Sequence, residues 1–198
     1  MTNVRPLLDG YVDRSPEGIA PGSGRPGAPA RAASRVERAW EVLSTVLDPE
    51  VPAVSVRDLG IVRDVIEHED GLEIVLTPTY SGCPATEVIE TDVLAAITAA
   101  GLGLARVTLR RAPAWTTDWI SAEGKRKLLA YGIVPPGPAS KAEVPMRFFP
   151  RAVKTAALIC PRCGSPNTER LAAFGSTACK ATWRCLACQE PFEHFKPI

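Results

Sequence analysis

Residues 61–79, "IVRDVIEHEDGLEIVLTPT", contain two apolar runs separated by an Asp-Gly pair. Asp70 and Gly71 both tolerate positive φ, which the tight turn of a β-hairpin requires. In the second run the apolar side chains alternate onto one face, as Leu72, Ile74 and Leu76. The stretch therefore predicts two antiparallel strands, and the elements on either side are expected to pack on the sheet that these strands begin.

A helix is predicted before the hairpin, in residues 34–50, "SRVERAWEVLSTVLDPE". Ser34 and Glu37 have the spacing of a capping box, in which each side chain satisfies a free amide at the helix start. Pro49 is expected to stop the helix, because proline disfavours helical geometry at the preceding residue. The apolar stripe of this helix is Val36, Trp40, Leu43 and Leu47, at helical spacing.

A second helix and a third strand are predicted after the hairpin. Residues 84–101, "PATEVIETDVLAAITAAG", place Pro84 at the first helical position and Gly101 just past the end, both favoured by helix geometry. Its buried stripe is Ile89, Val93, Ala96, Ile97 and Ala100. Residues 105–111, "ARVTLRR", predict a strand. The order α-β-β-α-β predicts a small α/β fold.

The rest of the chain divides by composition. Residues 1–33 are rich in Gly and Pro, which predicts a disordered leader. Residues 34–133 are predicted as the α/β domain, with a helix at 123–131 and with Trp115 and Trp119 packing this extension onto it. Residues 134–152 are interpreted as a proline-rich linker. Residues 153–198 are predicted as a separate four-cysteine domain.

Composition excludes some classes of function. The chain has 198 residues, 45% of them hydrophobic, and a formal net charge of +1. Nucleic-acid binding normally needs a marked basic excess, so no nucleic-acid partner is expected. The chain shows neither a secretory h-region nor a membrane-spanning apolar stretch, so a cytoplasmic protein without a membrane partner is expected.

Two C-x-x-C pairs dominate the C-terminal segment: Cys160 with Cys163, and Cys185 with Cys188. Four thiolates can close a tetrahedron around Zn²⁺, and a closed four-cysteine site is usually structural. Zinc is favoured, although iron accepts the same ligands. The alternatives to a metal site are two disulfides or loose redox pairs. Cys179 is a further cysteine that either packs or serves as an additional ligand for an incoming metal ion.

Cys83 stands alone between Gly82 and Pro84, at the expected start of the second helix. Free amides and the helix dipole at that position favour a thiolate and would lower the thiol pKa. The alternative is a small residue that fills a turn. His68 and His194 are distant in sequence, so hydrolytic or acyl-transfer chemistry with a histidine base is not indicated.

Three carboxylates cluster before the hairpin: Asp48, Glu50 and Asp58. Carboxylates could ligate iron. The alternative is local turn chemistry, in which Asp48 ends the first helix and Asp58 caps a turn before Leu59 and Gly60.

The stretches "DPEVPAVSVRDLGIV" and "TPTYSGCPATEVIETDV" resemble the MIP-type or SufT-like domain of iron–sulfur assembly proteins, over roughly residues 34–111. The cysteine-rich C-terminal segment is similar to that of the PaaD-type subgroup, which belongs to the bacterial phenylacetyl-CoA epoxidase system. The leader alone departs from the family, because it is longer than the family needs.

This resemblance implies an accessory, non-catalytic role in aerobic phenylacetate breakdown. The system is an NADPH-dependent multicomponent monooxygenase with a di-iron oxygenase subunit and a flavin and iron–sulfur reductase subunit, and both are expected partners. Cys83, Asp48, Glu50 and Asp58 would handle iron or a transient iron–sulfur cluster, and the C-x-x-C cysteines would hold zinc. A homodimer is also implied. The alternatives are a purely structural oxygenase subunit and a zinc-ribbon nucleic-acid-binding module.

Overall fold

The structure, a computed structural model, describes residues 33–80, 82–137 and 158–198. These residues belong to one compact unit. Almost all of the expected leader and most of the expected linker lie outside the described residues. Among the described residues, no helix has the length and apolar character needed to cross a membrane.

The α/β part contains two helices and three strands in the predicted order. They are α1 (Arg35–Leu43), β1 (Val62–Glu67), β2 (Leu72–Leu76), α2 (Thr86–Ala99) and β3 (Ala105–Leu109). The sheet order is β1-β2-β3, with β1 antiparallel and β3 parallel to β2. Helix α1 packs against β1 and α2, and α2 packs against β3. The α/β fold class is therefore confirmed.

Local signals explain where α1 begins and where α2 ends, but α2 begins at Thr86 rather than at the predicted Pro84, and its N-cap, Ala85, offers no side-chain hydrogen bond. The Ser34–Glu37 capping box forms as predicted, and Gly101 follows α2 with φ of +66°. Helix α1, however, ends at Leu43 rather than at Pro49, because the hydroxyls of Ser44 and Thr45 donate to main-chain carbonyls of the last turn. Competition of this kind weakens a helix end. Leu47, predicted in the buried stripe, is consequently 48% exposed.

The extension beyond β3 packs onto the α/β part. Trp115 is buried and its Nε1 donates to the carbonyl of Leu59 at 3.0 Å, and the Arg63 guanidinium stacks over the Trp119 ring at 3.5 Å. A 3-10 turn (Thr117–Trp119) and α3 (Ala122–Ala130) follow. The predicted helix and the predicted packing role of both tryptophans are confirmed.

The cysteine-rich part is a small sheet with order β4-β7-β6-β5. Its strands are β4 (Ile133–Val134), β5 (Thr168–Ala172), β6 (Lys180–Cys185) and β7 (Pro191–Phe195). Strand β4 runs parallel to β7, so the predicted domain boundary at residue 133 falls inside a strand of this sheet. The edge strand of this sheet, β4, therefore belongs in sequence to the extension of the α/β part.

The two parts also share a hydrophobic core. Phe195, at the end of β7, is buried in the same cluster as the α/β core. Its ring lies 6.0 Å from that of Trp115, centroid to centroid. Thr116 and Thr117 contact the carbonyl of Ile198 through their hydroxyls. The last residues of the chain therefore dock the cysteine-rich sheet onto the α/β part.

Candidate metal centres

The four C-x-x-C cysteines converge on one point. The Sγ atoms of Cys160, Cys163, Cys185 and Cys188 all lie within 4.8 Å of one another. The Sγ atoms of Cys163 and Cys185 are 3.5 Å apart, and those of Cys160 and Cys188 are 3.8 Å apart, whereas a disulfide bond is about 2.05 Å long. Zn–S bonds of about 2.3 Å give a tetrahedron with an edge of about 3.8 Å. The geometry fits a four-thiolate zinc site.

Tight turns present these sulfurs. In the first C-x-x-C turn, or knuckle, Gly164 has φ of +73°, and its N–H donates to the carbonyl of Cys160. Gln189, with φ of +63°, occupies the matching place in the second knuckle. Backbone N–H groups of Cys188, and then of Ala187, lower the pKa of the Cys185 thiol to about 6. The turn therefore favours the thiolate of Cys185. At Cys163 the hydrogen bond from the N–H of Ser165 is outweighed by the Cys188 and Cys185 thiols, which raise the pKa to about 12.

A second group of candidate metal ligands surrounds a small cavity where the α/β part and the cysteine-rich part meet. The loop after α1 contributes Asp48 and Glu50, the loop before α2 contributes Cys83, and the segment before β6 contributes Cys179. The rest of the wall is mostly apolar and includes Leu59, Ile61, Leu76, Ile89 and Phe195. We call this the interdomain cavity.

Asp48 does not end the first helix as its turn interpretation expected, because α1 stops at Leu43, but it does cap the turn that follows. Its Oδ1 accepts hydrogen bonds from the N–H groups of Glu50, at 3.0 Å, and Val51, at 2.8 Å. Burial nevertheless raises the pKa of Asp48, against these hydrogen bonds and the charge of Lys180. Burial, followed by the charge of Asp48, also raises the pKa of Glu50. A cation in the cavity would relieve both effects.

The ionisation predicted for Cys83 is wrong. Helix α2 begins at Thr86 with Ala85 as its N-cap, so Cys83 precedes the position where the helix dipole is strongest. Burial raises the pKa of the Cys83 thiol and outweighs the hydrogen bond from the N–H of Ala85, while Glu50 raises it further. The surroundings of Cys83 therefore favour the neutral thiol over the thiolate.

Cys179 lies on the other side of the interdomain cavity, where its side chain is 4% exposed. Its Sγ is 3.0 Å from the Thr177 hydroxyl and 4.0 Å from Glu50 Oε2. Burial raises the pKa of this thiol as well. Neighbouring Lys180 is buried and pairs with Glu193 at 3.1 Å.

Asp58, which was predicted together with Asp48 and Glu50, is not among the residues that line the cavity. Its Oδ2 accepts from Lys127 Nζ at 2.7 Å and from the N–H of Ser55 at 3.1 Å. Burial alone would raise the pKa of Asp58, but Lys127 and Ser55 together lower it. Its contacts are those of a turn cap joined to α3, and its assignment to iron handling stays a prediction.

The sequence reasoning missed one neighbour of Cys83. Tyr80 contacts the Cys83 thiol, and burial, followed by that thiol, raises the tyrosine pKa to about 12. Its only signal is its position three residues before the cysteine. The cavity-lining residues that the structure describes include neither histidine: His68 pairs with Glu73 on the hairpin, and His194 lies in β7.

Comparison with known proteins matches both parts. Residues 37–109 match the family described as "Iron-sulfur cluster assembly protein", and residues 149–196 match the "PaaD zinc beta ribbon domain". The chain thus joins an iron–sulfur assembly domain to a zinc ribbon, as the resemblance implied.

A full-length relative narrows this class. The chain is 43% identical, over 168 residues, to an Escherichia coli (strain K12) protein that is named as a putative subunit of 1,2-phenylacetyl-CoA epoxidase. The match covers 84% of this chain and 96% of that protein. The chain belongs to the PaaD family of phenylacetyl-CoA epoxidase subunits.

Shorter proteins match less than half of the chain. The "Fe-S protein maturation auxiliary factor" of Porphyromonas gingivalis is 35% identical over 89 residues, which is 44% of this chain and 84% of that protein. A crystal structure of a DUF59 domain from Bacillus anthracis is 29% identical, covers 48% of this chain and 91% of that chain, and has a TM-score of 0.45.

Proposed function

We propose that this chain is an accessory component of the phenylacetyl-CoA epoxidase system, and that it assembles or maintains an iron–sulfur or di-iron centre of the oxygenase or reductase subunit. Identity of 43% with the E. coli protein over nearly its whole length supports the pathway. The match of residues 37–109 to iron–sulfur cluster assembly proteins supports the role in assembly.

The observation that carries this proposal is the convergence of Cys83 and Glu50 on one cavity. A thiolate and a carboxylate together suit iron. Iron is here the cargo that the chain passes on. Because the pKa of Cys83 is raised, iron has to displace a proton from the thiol at neutral pH, which weakens its apparent affinity. Weak binding suits a site that must release its ion to a partner.

The zinc ribbon has a different task in this proposal. Zinc held by Cys160, Cys163, Cys185 and Cys188 would supply folding free energy to a small sheet with few buried side chains. Such a closed site leaves no position for a substrate. The ribbon would therefore hold its segment in the docked position and take no part in iron transfer through its zinc ion.

We propose the oxygenase and reductase subunits as partners, in the cytoplasm, and retain the homodimer as part of the proposal. The name of the E. coli relative as a subunit supports a multi-subunit complex. The net charge of +1 argues against nucleic acid as a partner.

The test is iron delivery in cells. The oxygenase and reductase are co-expressed with wild-type chain, with Cys83→Ser, or without the chain, and are then purified for iron analysis. Cys83→Ser should lower the iron content of one of these two proteins as far as omission of the chain does. Glu123→Gln serves as the control, because Glu123 forms an exposed pair with Arg126 on α3.

Two outcomes would contradict the proposal. Full iron content with Cys83→Ser would remove the role of the cavity thiol. Loss of epoxidase activity without the chain, while both partners keep their iron, would instead identify a structural subunit.

A further inference from the structure

We infer that Cys83 and Cys179 are the two thiolate ligands of a single-ion site in the interdomain cavity, with Glu50 as a third ligand. The inference rests on the proposed function, since the ion would be the iron that the chain delivers. It goes further by assigning a ligand to the zinc-ribbon segment and by specifying one ion rather than a cluster.

The ligand set follows from what surrounds the cavity. Cys83 and Cys179 come from the two parts of the molecule and line the same space. Glu50 Oε2 lies 4.0 Å from Cys179 Sγ. Two such atoms bound to one ion, with bonds of about 2.3 and 2.1 Å, would be about 3.6 Å apart. A shift of a few tenths of an ångström would bring Cys179 and Glu50 onto one ion. Cys83 would have to close onto the same space as the ion binds, because among the described residues the potential ligands that already converge are the four ribbon cysteines.

The size of the cavity decides between an ion and a cluster. Its volume is about 20 Å³, which is room for about one water-sized sphere. An iron–sulfur cluster contains at least two iron ions and two sulfides, which is more than this volume holds without rearrangement of the cavity wall. The docked molecule therefore accommodates a single ion.

Packing alone does not account for Cys179. The zinc site is complete without this residue, because four other sulfurs already converge there. A thiol that only filled space would face apolar groups, yet this one faces the carboxylate of Glu50. The charge of Lys180 acts on both Asp48 and Glu50, but its ammonium group forms an ion pair with Glu193 instead. The described residues that line the cavity include no lysine or arginine, so a bound cation would be a direct partner for these carboxylates.

The docked ribbon holds Cys179 in this position. The carbonyl of Cys179 accepts from the N–H of Lys196 at 2.9 Å. Phe195, which precedes Lys196, packs against Trp115. Binding one divalent ion replaces the two thiol protons, which pass to water, and neither sulfur is oxidised. Release of the ion requires both thiols to be reprotonated.

The test uses Co²⁺ as the probe, titrated without oxygen into the full chain with its zinc site already filled. Wild type should bind one Co²⁺ beside one retained zinc ion and show the charge-transfer absorption of two thiolate bonds. Cys179→Ser and Cys83→Ser should each reduce that absorption by about half. Each substitution should weaken Co²⁺ binding at least about tenfold, which is the smallest loss of affinity typical even of residues that only support a metal ligand.

Glu50→Gln should keep the absorption and weaken binding, whereas Glu123→Gln should change neither. Zinc content and circular dichroism check that each variant is folded. If a variant fails this check, the wild-type spectrum still decides, because the absorption of a single thiolate bond would overturn the inference.

Failure of the inference differs from failure of the proposed function. Unchanged Co²⁺ absorption in Cys179→Ser, with loss in Cys83→Ser, would overturn the two-thiolate site and leave Cys83 as the iron ligand. Normal iron delivery by Cys83→Ser in cells would contradict the proposed function, whatever the Co²⁺ spectrum shows. A wild-type chain that binds no second ion would overturn the single-ion site.

Discussion

At the scale of single residues, two opposing effects set the pKa of the Cys83 thiol. The N–H of Ala85 favours the thiolate, while the apolar cavity wall and Glu50 favour the thiol. The net effect is a raised pKa, because the free-energy cost of burying the charged thiolate exceeds the stabilisation that one hydrogen bond provides. Metal binding, rather than the helix start, would have to generate the thiolate.

The raised pKa predicts slow alkylation of Cys83 at neutral pH. In zinc-loaded Cys179→Ser, the rate of iodoacetamide labelling at Cys83, followed by mass spectrometry, should still be rising at the ordinary cysteine pKa of 9.0. Only the thiolate reacts, so the rate follows its population. A rate that levels off below pH 8 would contradict the assignment of a neutral thiol.

Asp58 predicts an effect on stability. Asp58→Asn should lower the free energy of unfolding by about 1–3 kcal/mol, measured with urea at pH 7, because Lys127 loses its partner. The folded pKa of Asp58 is depressed, so its contribution is complete above the unfolded value of 3.8 and is lost as pH falls through the lower folded value. The difference between variant and wild type should therefore shrink below pH 3.8.

A matched control separates this pair from surface charges in general. Glu123→Gln removes the carboxylate of an exposed pair on the same helix that carries Lys127. Exposed pairs contribute little, so its stability should stay close to that of wild type. Equal losses in both variants would contradict a special role for Asp58.

At the scale of elements, the turn before β1 depends on a close approach. Gly60 has φ of +68°, and a Cβ there would lie 2.6 Å from the carbonyl oxygen of Trp119. Gly101 has φ of +66° with open space around it. Both positions favour glycine for its backbone, but only the first also excludes a side chain.

This contrast predicts unequal costs. Gly101→Ala should cost about 1–2 kcal/mol of unfolding free energy, the strain of a left-handed residue. Gly60→Ala should cost at least about 1 kcal/mol more, because the added methyl group collides with main chain. Urea unfolding of both variants in the presence of zinc measures the difference. Equal costs would mean that the extension can move away from the turn.

The hairpin and α2 could be predicted because their signals are local: Asp70-Gly71 sets the turn, and the apolar spacing and Gly101 set the helix. The end of α1 could not, because Pro49 is a visible stop signal whereas the hydroxyl contacts of Ser44 and Thr45 act earlier in the chain. Strand β4 has two residues. Its pairing with β7 depends on the docking of the ribbon, and no local sequence pattern near residue 133 predicts that docking.

The candidate site shows the same division. The four zinc ligands could be predicted from spacing alone, because each C-x-x-C pair lies on one turn. The approach of Cys179 to Glu50 depends on how two parts of the chain dock, and sequence reasoning could name Cys179 only as an additional ligand. Likewise, Asp58 is close to Glu50 in sequence but points to α3.

At the scale of the whole molecule, the zinc site and the α/β core are mechanically connected. Strand β7 carries Phe195 into the core and pairs with β4, and β6 ends at the zinc ligand Cys185. Loss of zinc should therefore disturb more than the ribbon, because metal binding supplies folding free energy to the segment that docks.

Chelation of zinc at neutral pH should lower amide-exchange protection in β4, in β7 and around Trp115, while β1 and β2 keep theirs. Strand β1 contacts α1 and pairs with β2, so the hairpin should remain folded. Hydrogen exchange read by mass spectrometry before and after chelation, with zinc added back as control, makes the comparison. Unchanged protection of β4 would show that docking does not depend on zinc.

The parallel pairing of β4 with β7 makes the backbone connection between them partly dispensable. Polypeptides 1–137 and 138–198, produced separately with zinc, should recombine, since β4 stays with the first and β7 with the second. The natural connection then only raises their effective concentration. By thermodynamic linkage, an ion bound between Cys83 and Cys179 must tighten the recombined pair by the same factor by which recombination tightens the ion. The affinity between the two polypeptides would thus report whether the metal ion is bound.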